Sequence, residues 1–265
     1  MTDTHANGDD DGSPADRRAA VRERYGAIAS DDGGCCGSTC CDDADEPGKP
    51  AADLGYDPAD LDAAPEGSNL GLGCGNPVAL SNLEPGETVL DLGAGGGFDC
   101  FLAAEEVGPE GRVIGVDMTP EMVERARENA RESPHGNVEF RLGEIEHLPV
   151  ADGSVDVVIS NCVLNLSPEK PRTLAEAYRA LTPGGRLSVS DLVATEPLPE
   201  DLREDLDAVA ACVGGAATVA ELEGWLADVG FEAVEVVEEA DWDRDGAEDV
   251  PIVSARIEAR KPVDA

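Results

Sequence analysis

The residues most able to do chemistry in this chain begin at Asp91-Leu92-Gly93-Ala94-Gly95-Gly96-Gly97. The run follows an apolar stretch (Thr88-Val89-Leu90) and leads into a helical pattern (Phe98-Asp99-Cys100-Phe101-Leu102-Ala103-Ala104). A strand that breaks into glycines before a helix lets backbone touch a ligand, because glycine accepts the turn and presents no Cβ. The next strand candidate, Arg112-Val113-Ile114-Gly115-Val116, ends in Asp117, where a ribose hydroxyl needs an acceptor. Together they predict a site for a nucleoside-like cofactor.

Cysteine is the second chemical signal. The chain has eight: Cys35, Cys36, Cys40, Cys41, Cys74, Cys100, Cys162 and Cys212. Lasting disulfides are rare in reducing compartments, so this number points to soft-ion binding or redox chemistry. Cys74 stands in Gly73-Cys74-Gly75-Asn76-Pro77 upstream of the first strand, Cys162 at the C-terminal end of the fourth, and Cys212 in Ala211-Cys212-Val213-Gly214-Gly215. Open α/β sheets bind ligands at that strand edge. Cys100 lies on an apolar helix face with Phe98, Phe101 and Leu102, which reads as core packing. The segment from Cys35 to Cys41 reads as a thiol arm, with a structural zinc site as the alternative. The three histidines, His5, His135 and His147, form no ligand pattern, and His147 reads as a loop residue.

Elements to position these groups follow from periodicity. Residues 1–16 are polar and acidic and predict disorder; 16–28 can form a helix with Val21, Tyr25 and Ile28 on one face. Strands are predicted at 87–92, 112–117, 137–142, 155–160 and 186–191, with helices at 97–107, 120–132 and 169–181. Thr119-Pro120 reads as a cap and first helical residue. Two helices (201–213, 218–229) and two closing strands (231–238, 251–260) follow. The alternation predicts an α/β fold with a doubly wound, mostly parallel sheet, the last two strands adding antiparallel at one edge. The expected division is 1–66 (acidic N-terminus and Cys-rich arm), 67–195 (cofactor-binding core) and 196–265 (C-terminal part with Cys212 and the last two strands).

Bulk composition narrows the partners. The net charge is −38, from 57 acids against 19 bases, only three of them lysines (Lys49, Lys170, Lys261). Acids run through the whole chain, which suits a cytosol with molar salt, where charges are screened within about 3 Å. No basic patch invites nucleic acid. No apolar run approaches the roughly 20 residues of a membrane span, and no secretory leader is visible, so a cytoplasmic location is expected. Aromatic residues make up 3% of the chain, so Val, Leu, Ile and Ala must build the core.

A dinucleotide fingerprint would need its third glycine at Phe98. The observed Asp-x-Gly-x-Gly-x-Gly, with Asp117 and the Leu181-Thr182-Pro183-Gly184-Gly185-Arg186 turn, resembles instead the class I S-adenosylmethionine (SAM) methyltransferases. That resemblance implies a Rossmann-like seven-stranded sheet. It places the glycine loop (Asp91, Gly93, Gly95) against the methionine part of the cofactor, Asp117 at the ribose hydroxyls, and Glu144 and Ile145 at the adenine, with Met118 and Asn161 as further cofactor-binding residues. The settings of Cys74, Cys162 and Cys212, with Gly95-Gly96-Gly97-Phe98-Asp99-Cys100 and Gly115-Val116-Asp117-Met118-Thr119-Pro120, resemble arsenite methyltransferases from about Tyr25-Gly26 to about Gly215.

The resemblance implies that Cys162 and Cys212 bind trivalent arsenic, that Cys74 joins a disulfide relay, and that one thiol from 35–41 takes part. Arsenite would arrive as a thiol conjugate, and thioredoxin or another small thiol would reset the enzyme. The chemistry agrees: thiolates are the soft ligands for a thiophilic ion, and three of them (Cys74, Cys162, Cys212) can hold As(III) in a pyramid with its lone pair toward the sulfonium methyl. Two other readings stand beside this one: methylation of an organic small molecule, and arsenic binding without turnover.

Overall fold

The computed structural model describes residues 13–30, 54–241 and 250–264. Five parallel strands form its centre: β1 (Thr88–Leu92), β2 (Arg112–Asp117), β3 (Val138–Leu142), β4 (Val155–Asn161) and β5 (Leu181–Ala194). β7 (Glu232–Asp241) and β8 (Ile252–Arg260) close the sheet antiparallel, and the strand order is β3-β2-β1-β4-β5-β8-β7. The order reverses between β1 and β4, which opens a crevice at the C-terminal strand ends.

That sequence of seven strands matches the expectation, and the structure adds an eighth. β6 (Ala217–Thr218) pairs with Val193 and Ala194 of β5. β4 ends at Asn161, opposite Ser190, so the last turn of β5 has a free edge that this two-residue strand takes up. The helix expected at 201–213 is also divided, into α7 (Glu200–Glu204) and α8 (Leu206–Ala210). Asp205 interrupts it by accepting hydrogen bonds from the N–H groups of Asp207 and Ala208, an N-cap that starts a new helix.

The remaining helices are α1 (Pro14–Ser30), α2 (Pro58–Ala63), α3 (Pro77–Ser81), α4 (Phe98–Val107), α5 (Pro120–Glu132), α6 (Lys170–Ala180) and α9 (Val219–Val229). None of the described helices is long and apolar enough to cross a membrane. α5 begins at Pro120 as expected, but the Thr119 side chain makes no capping bond.

Both sheet faces are covered, so the central strands are apolar throughout rather than alternating. Val89, Val113 and Val157 pack with Phe98, Phe101 and Phe140 under α4 and α5. Leu90, Ile114, Val158 and Leu187 pack with Leu174 of α6 and with Leu222 and Leu226 of α9. A third, smaller cluster sits at the strand ends: Val21 of α1 with Cys74, Cys162, Leu166, Leu192 and Cys212. α1 is fastened over this edge. Arg17 donates to the Arg203 carbonyl at 3.0 Å, Arg18 to Glu169 at 2.6 Å, and Arg125 of α5 to the Ala29 carbonyl at 3.0 Å. Cys35, Cys36, Cys40 and Cys41 lie outside the described residues.

Candidate active site

The cofactor cavity opens where β1 breaks. Gly93 and Gly95 both have positive φ (71° and 51°), a conformation costly for other residues. A Cβ on Gly93 would lie 2.5 Å from the Val163 side chain. The turn is pinned by the Gly93 and Ala94 N–H groups, which donate to the Val116 carbonyl at 2.7 and 3.1 Å. Asp117 at the end of β2 accepts from the Gly95 N–H at 3.0 Å and the Thr119 N–H at 2.8 Å. Burial pushes its pKa up, and those amides pull it back toward the ionised form.

These residues line a cavity of about 1050 Å³, counting its open mouth. Met118, Ile145 and Asn161 line it too, with Arg18, Val21 and Tyr25 of α1 above. Glu144 does not. Its carboxylate turns outward to Arg18 (3.8 Å) and Arg22 (3.6 Å), and Glu146 takes the place on the cavity wall. Glu146 is buried and accepts from the Ser167 hydroxyl at 2.7 Å. The chain turns after β3, with the His147 N–H donating to the Glu144 carbonyl at 3.0 Å, so the spacing of the two acids does not say which one faces inward.

Two further acids lie at the glycine end. Asp91 is buried and accepts from Cys100 Sγ at 3.2 Å. Asp99 accepts from the Tyr56 hydroxyl at 2.6 Å and from Asn161 Nδ2 at 3.1 Å. Burial raises both pKa values; the charge of Asp99 raises Asp91 further, while the donors to Asp99 oppose its rise. Asn161 also accepts from the Cys74 N–H at 2.9 Å and donates to the Gly75 carbonyl at 2.8 Å. One amide therefore joins the cofactor cavity to the loop that carries Cys74.

The three sulfurs expected to act together lie in one buried cluster, in a different bonding state from a three-thiolate pyramid. Cys74 and Cys162, 88 residues apart in sequence, form a disulfide with Cα atoms 5.8 Å apart. Cys212 Sγ donates to the Cys162 carbonyl at 3.0 Å, and the Tyr25 hydroxyl lies 3.8 Å from it. Cys162 lines the cavity itself. Cys162 (φ 55°) and Cys212 (φ 66°) both hold left-handed backbone, a strained state for non-glycine residues that concentrates at functional sites. Cys100 is fully buried on α4, away from this cluster and bonded to Asp91.

A group behind the sulfurs has no counterpart in the sequence reading. A carboxylate oxygen of Asp191 lies within 4.8 Å of both Cys74 Sγ and Cys162 Sγ. Asp191 accepts from the Asn165 N–H at 3.2 Å, Asn165 Nδ2 at 2.8 Å and the Leu192 N–H at 2.7 Å. Burial pushes its pKa up to about 7 against those bonds. Lys170 Nζ, near Asn165 and Ser167, is brought down to about 8 by burial, partly offset by Asp191. The signal in the sequence is the one charged residue of the segment Leu187-Ser188-Val189-Ser190-Asp191-Leu192-Val193.

A parallel sheet with this switch point, a glycine turn after β1 and an acid closing β2 define a class I, SAM-dependent methyltransferase, and a family model described as a methyltransferase domain matches residues 83–230. An arsenite methyltransferase of Halobacterium salinarum is 53% identical to the chain over 95% of it and 68% of that protein. One from Aquipseudomonas alcaligenes is 39% identical over 83% of the chain and 63% of that protein. The crystal structure of CrArsM, an arsenic(III) SAM methyltransferase from Chlamydomonas reinhardtii, superposes with a TM-score of 0.63 at 36% identity, covering 80% of this chain and 73% of that one. The chain belongs to the arsenite methyltransferase family. It spans about two thirds of the length of the archaeal and bacterial relatives.

Proposed function

We propose that the chain moves the methyl group of SAM onto trivalent arsenic held by cysteine sulfur at the strand edge. The observation that carries this reading is the sulfur cluster: Cys162 on the cavity wall, Cys74 bonded to it, and Cys212 Sγ 3.0 Å from the Cys162 carbonyl.

The residues present fit the cofactor. Gly93 and Gly95 leave backbone open to a ligand, Asp117 has lone pairs beyond its two amide bonds for ribose hydroxyls, and the remaining buried acids suit a cationic ligand. When bound, SAM supplies an electrophilic sulfonium methyl. The protein supplies proximity and orientation. In the reduced enzyme Cys162 and Cys212, with Cys74 as third sulfur, hold As(III) through thiolates and leave its lone pair toward the cavity. That lone pair carries no proton, so no general base is required. α1, with Val21 buried and Tyr25 over Cys212, shields the sulfurs from water.

Methyl transfer formally takes arsenic from the trivalent to the pentavalent state. Cys74 and Cys162 then return two electrons: their two bonds to arsenic break as the S–S bond between them forms, leaving methylated arsenic trivalent on Cys212, and an external thiol fills the opened position and loses its proton. The Cys74–Cys162 bond has the composition of that oxidised state. An external dithiol such as thioredoxin, or a small thiol, then restores the pair, and arsenite enters as its thiol conjugate. Exchange favours this entry because the conjugate's sulfurs leave as the protein's sulfurs bind.

The test is arsenic speciation after incubating reduced protein with arsenite, SAM and a thiol in molar KCl. Methylated arsenic is expected from the wild type and none from Cys162→Ser or Cys212→Ser, both of which still bind SAM. Methylation retained in both variants overturns the sulfur assignment, and no methylated arsenic from the wild type overturns the substrate.

A further inference from the structure

The cavity has unlike ends. Arg18 stands at one, paired with Glu146 at 3.6 Å and Glu169 at 2.6 Å. The other end holds Asp91 and Asp99, which repel one another, and among the described residues no cationic side chain pairs with either. A buried carboxylate (Asp91) beside a half-buried one (Asp99), with no counter-charge, is costly. Asp99 is nevertheless held in place: Tyr56 donates to Oδ1 at 2.6 Å and Asn161 to Oδ2 at 3.1 Å. Tyr56 is itself buried and fixed edge-on against Phe98, ring centres 5.0 Å apart. An ionised carboxyl accepts about four hydrogen bonds, so each oxygen of Asp99 keeps capacity for another donor.

A ligand that places a cation with N–H groups between the two acids relieves their repulsion and fills those lone pairs. The sulfonium of SAM has no N–H to donate. The α-ammonium has three, and it belongs to the methionine part, the part expected against the glycine loop. We propose that Asp99 is a further cofactor-binding residue, taking the α-ammonium of SAM together with Asp91 while Tyr56 and Asn161 hold its carboxyl in position. The inference rests on the chain's use of SAM and adds a residue outside the Asp-x-Gly-x-Gly-x-Gly motif. It also gives a reason for Asn161 to donate to Asp99 while accepting from the Cys74 N–H: the seat of the ammonium and the thiol loop share one amide.

Calorimetric titration of Asp99→Asn with S-adenosylhomocysteine (SAH) and with its deaminated analogue, in which a keto oxygen replaces the α-amino group, tests this. SAH is expected to bind about 30-fold more weakly than to wild type, the scale of one lost charge-assisted hydrogen bond, and the deaminated analogue to bind both proteins alike. Tyr56→Phe, which keeps the charge and removes one support, is expected to fall between wild type and Asp99→Asn for SAH. Unchanged SAH binding by Asp99→Asn overturns the assignment, as does an equal loss of both ligands, which would mean a damaged pocket. If wild type itself binds no SAH, the reading of the chain as a SAM enzyme fails with it; if wild type binds and Asp99→Asn matches it, this inference alone fails.

Discussion

Replacing Asn161 by alanine cuts the tie between cofactor cavity and thiol loop. Its Oδ1 accepts the Cys74 N–H at 2.9 Å, and its two Nδ2 hydrogens are shared among the Gly75 carbonyl, Asp99 and the Tyr56 hydroxyl at 2.8, 3.1 and 2.9 Å. Three bonds can form at once. Alanine reaches none of them, so two ordinary bonds at about 1 kcal/mol each are lost and the Cys74 N–H is left unpaired at about 1–3 kcal/mol, about 4 kcal/mol together. For a chain of this size that lowers the melting temperature by about 10 °C. The Gly73-Cys74-Gly75 loop also loses its anchor; if Cys74 reacts as proposed, a shift of about 1 Å in its sulfur costs about 100-fold in rate. Thermal melts in molar KCl, alkylation of Cys74 in the reduced protein, and single-turnover methylation read these effects separately. Faster alkylation, a lower melt and a slower transfer are expected together. A melt within about 2 °C of wild type, smaller than one lost bond produces, with unchanged alkylation would refute the argument that this amide holds the loop.

Three further outcomes are expected. In Gly215→Ala the new Cβ overlaps the Asn165 carbonyl, which displaces the loop carrying Cys212; arsenite methylation should fall by about 100-fold while SAH titration is unchanged, and normal turnover would exclude tight packing there. Asp191 holds its proton to about pH 7 in the folded chain, against about 3.9 when unfolded. The native state therefore binds more protons across that window, so the stabilisation is full below about pH 4 and is lost as pH rises through about 7, by about 4 kcal/mol for this group. Urea midpoints at constant KCl should fall from pH 5 to 8 more steeply for wild type than for Asp191→Asn, and equal slopes would remove Asp191 as the cause. Finally, a net charge of −38 is screened within about 3 Å in molar salt but only within about 10 Å in dilute buffer; dialysis to low salt should lower the melting temperature and the activity together, and an unchanged melt would refute the role of self-repulsion.

Much of the scaffold was legible because its signals are local. The strands predicted at 87–92, 112–117 and 155–160 lie within one residue of those found, because short apolar runs closed by glycine or by a polar residue mark them. Division of 201–213 into two helices was missed because Asp205 could sit on an exposed helix face as easily as cap a new turn; the choice was made by the chain around it. The sequence points to Glu144 and leaves Glu146 unmarked: local spacing fixes that an acid is present, whereas which acid is buried depends on distant partners, here Ser167 bonded to Glu146 and Arg22 of α1 beside Glu144.

The sequence by itself determined the glycine turn, the acid that closes the second strand, and the presence of Cys162 at the C-terminal edge of the sheet. These depend on backbone sterics and on period, which neighbouring residues settle among themselves. Tertiary structure alone decided that Cys74 meets Cys162, that Cys212 leans on the Cys162 carbonyl under Tyr25, that Asp191 stands behind the sulfurs, and that Asp99 joins Asp91 at one end of the cavity. Each of those meetings joins residues set by the register of β4 against β5 or by the packing of α1 and α4 on the sheet. A one-residue slip in that register would turn the same side chains to the opposite face, so no local pattern can encode them.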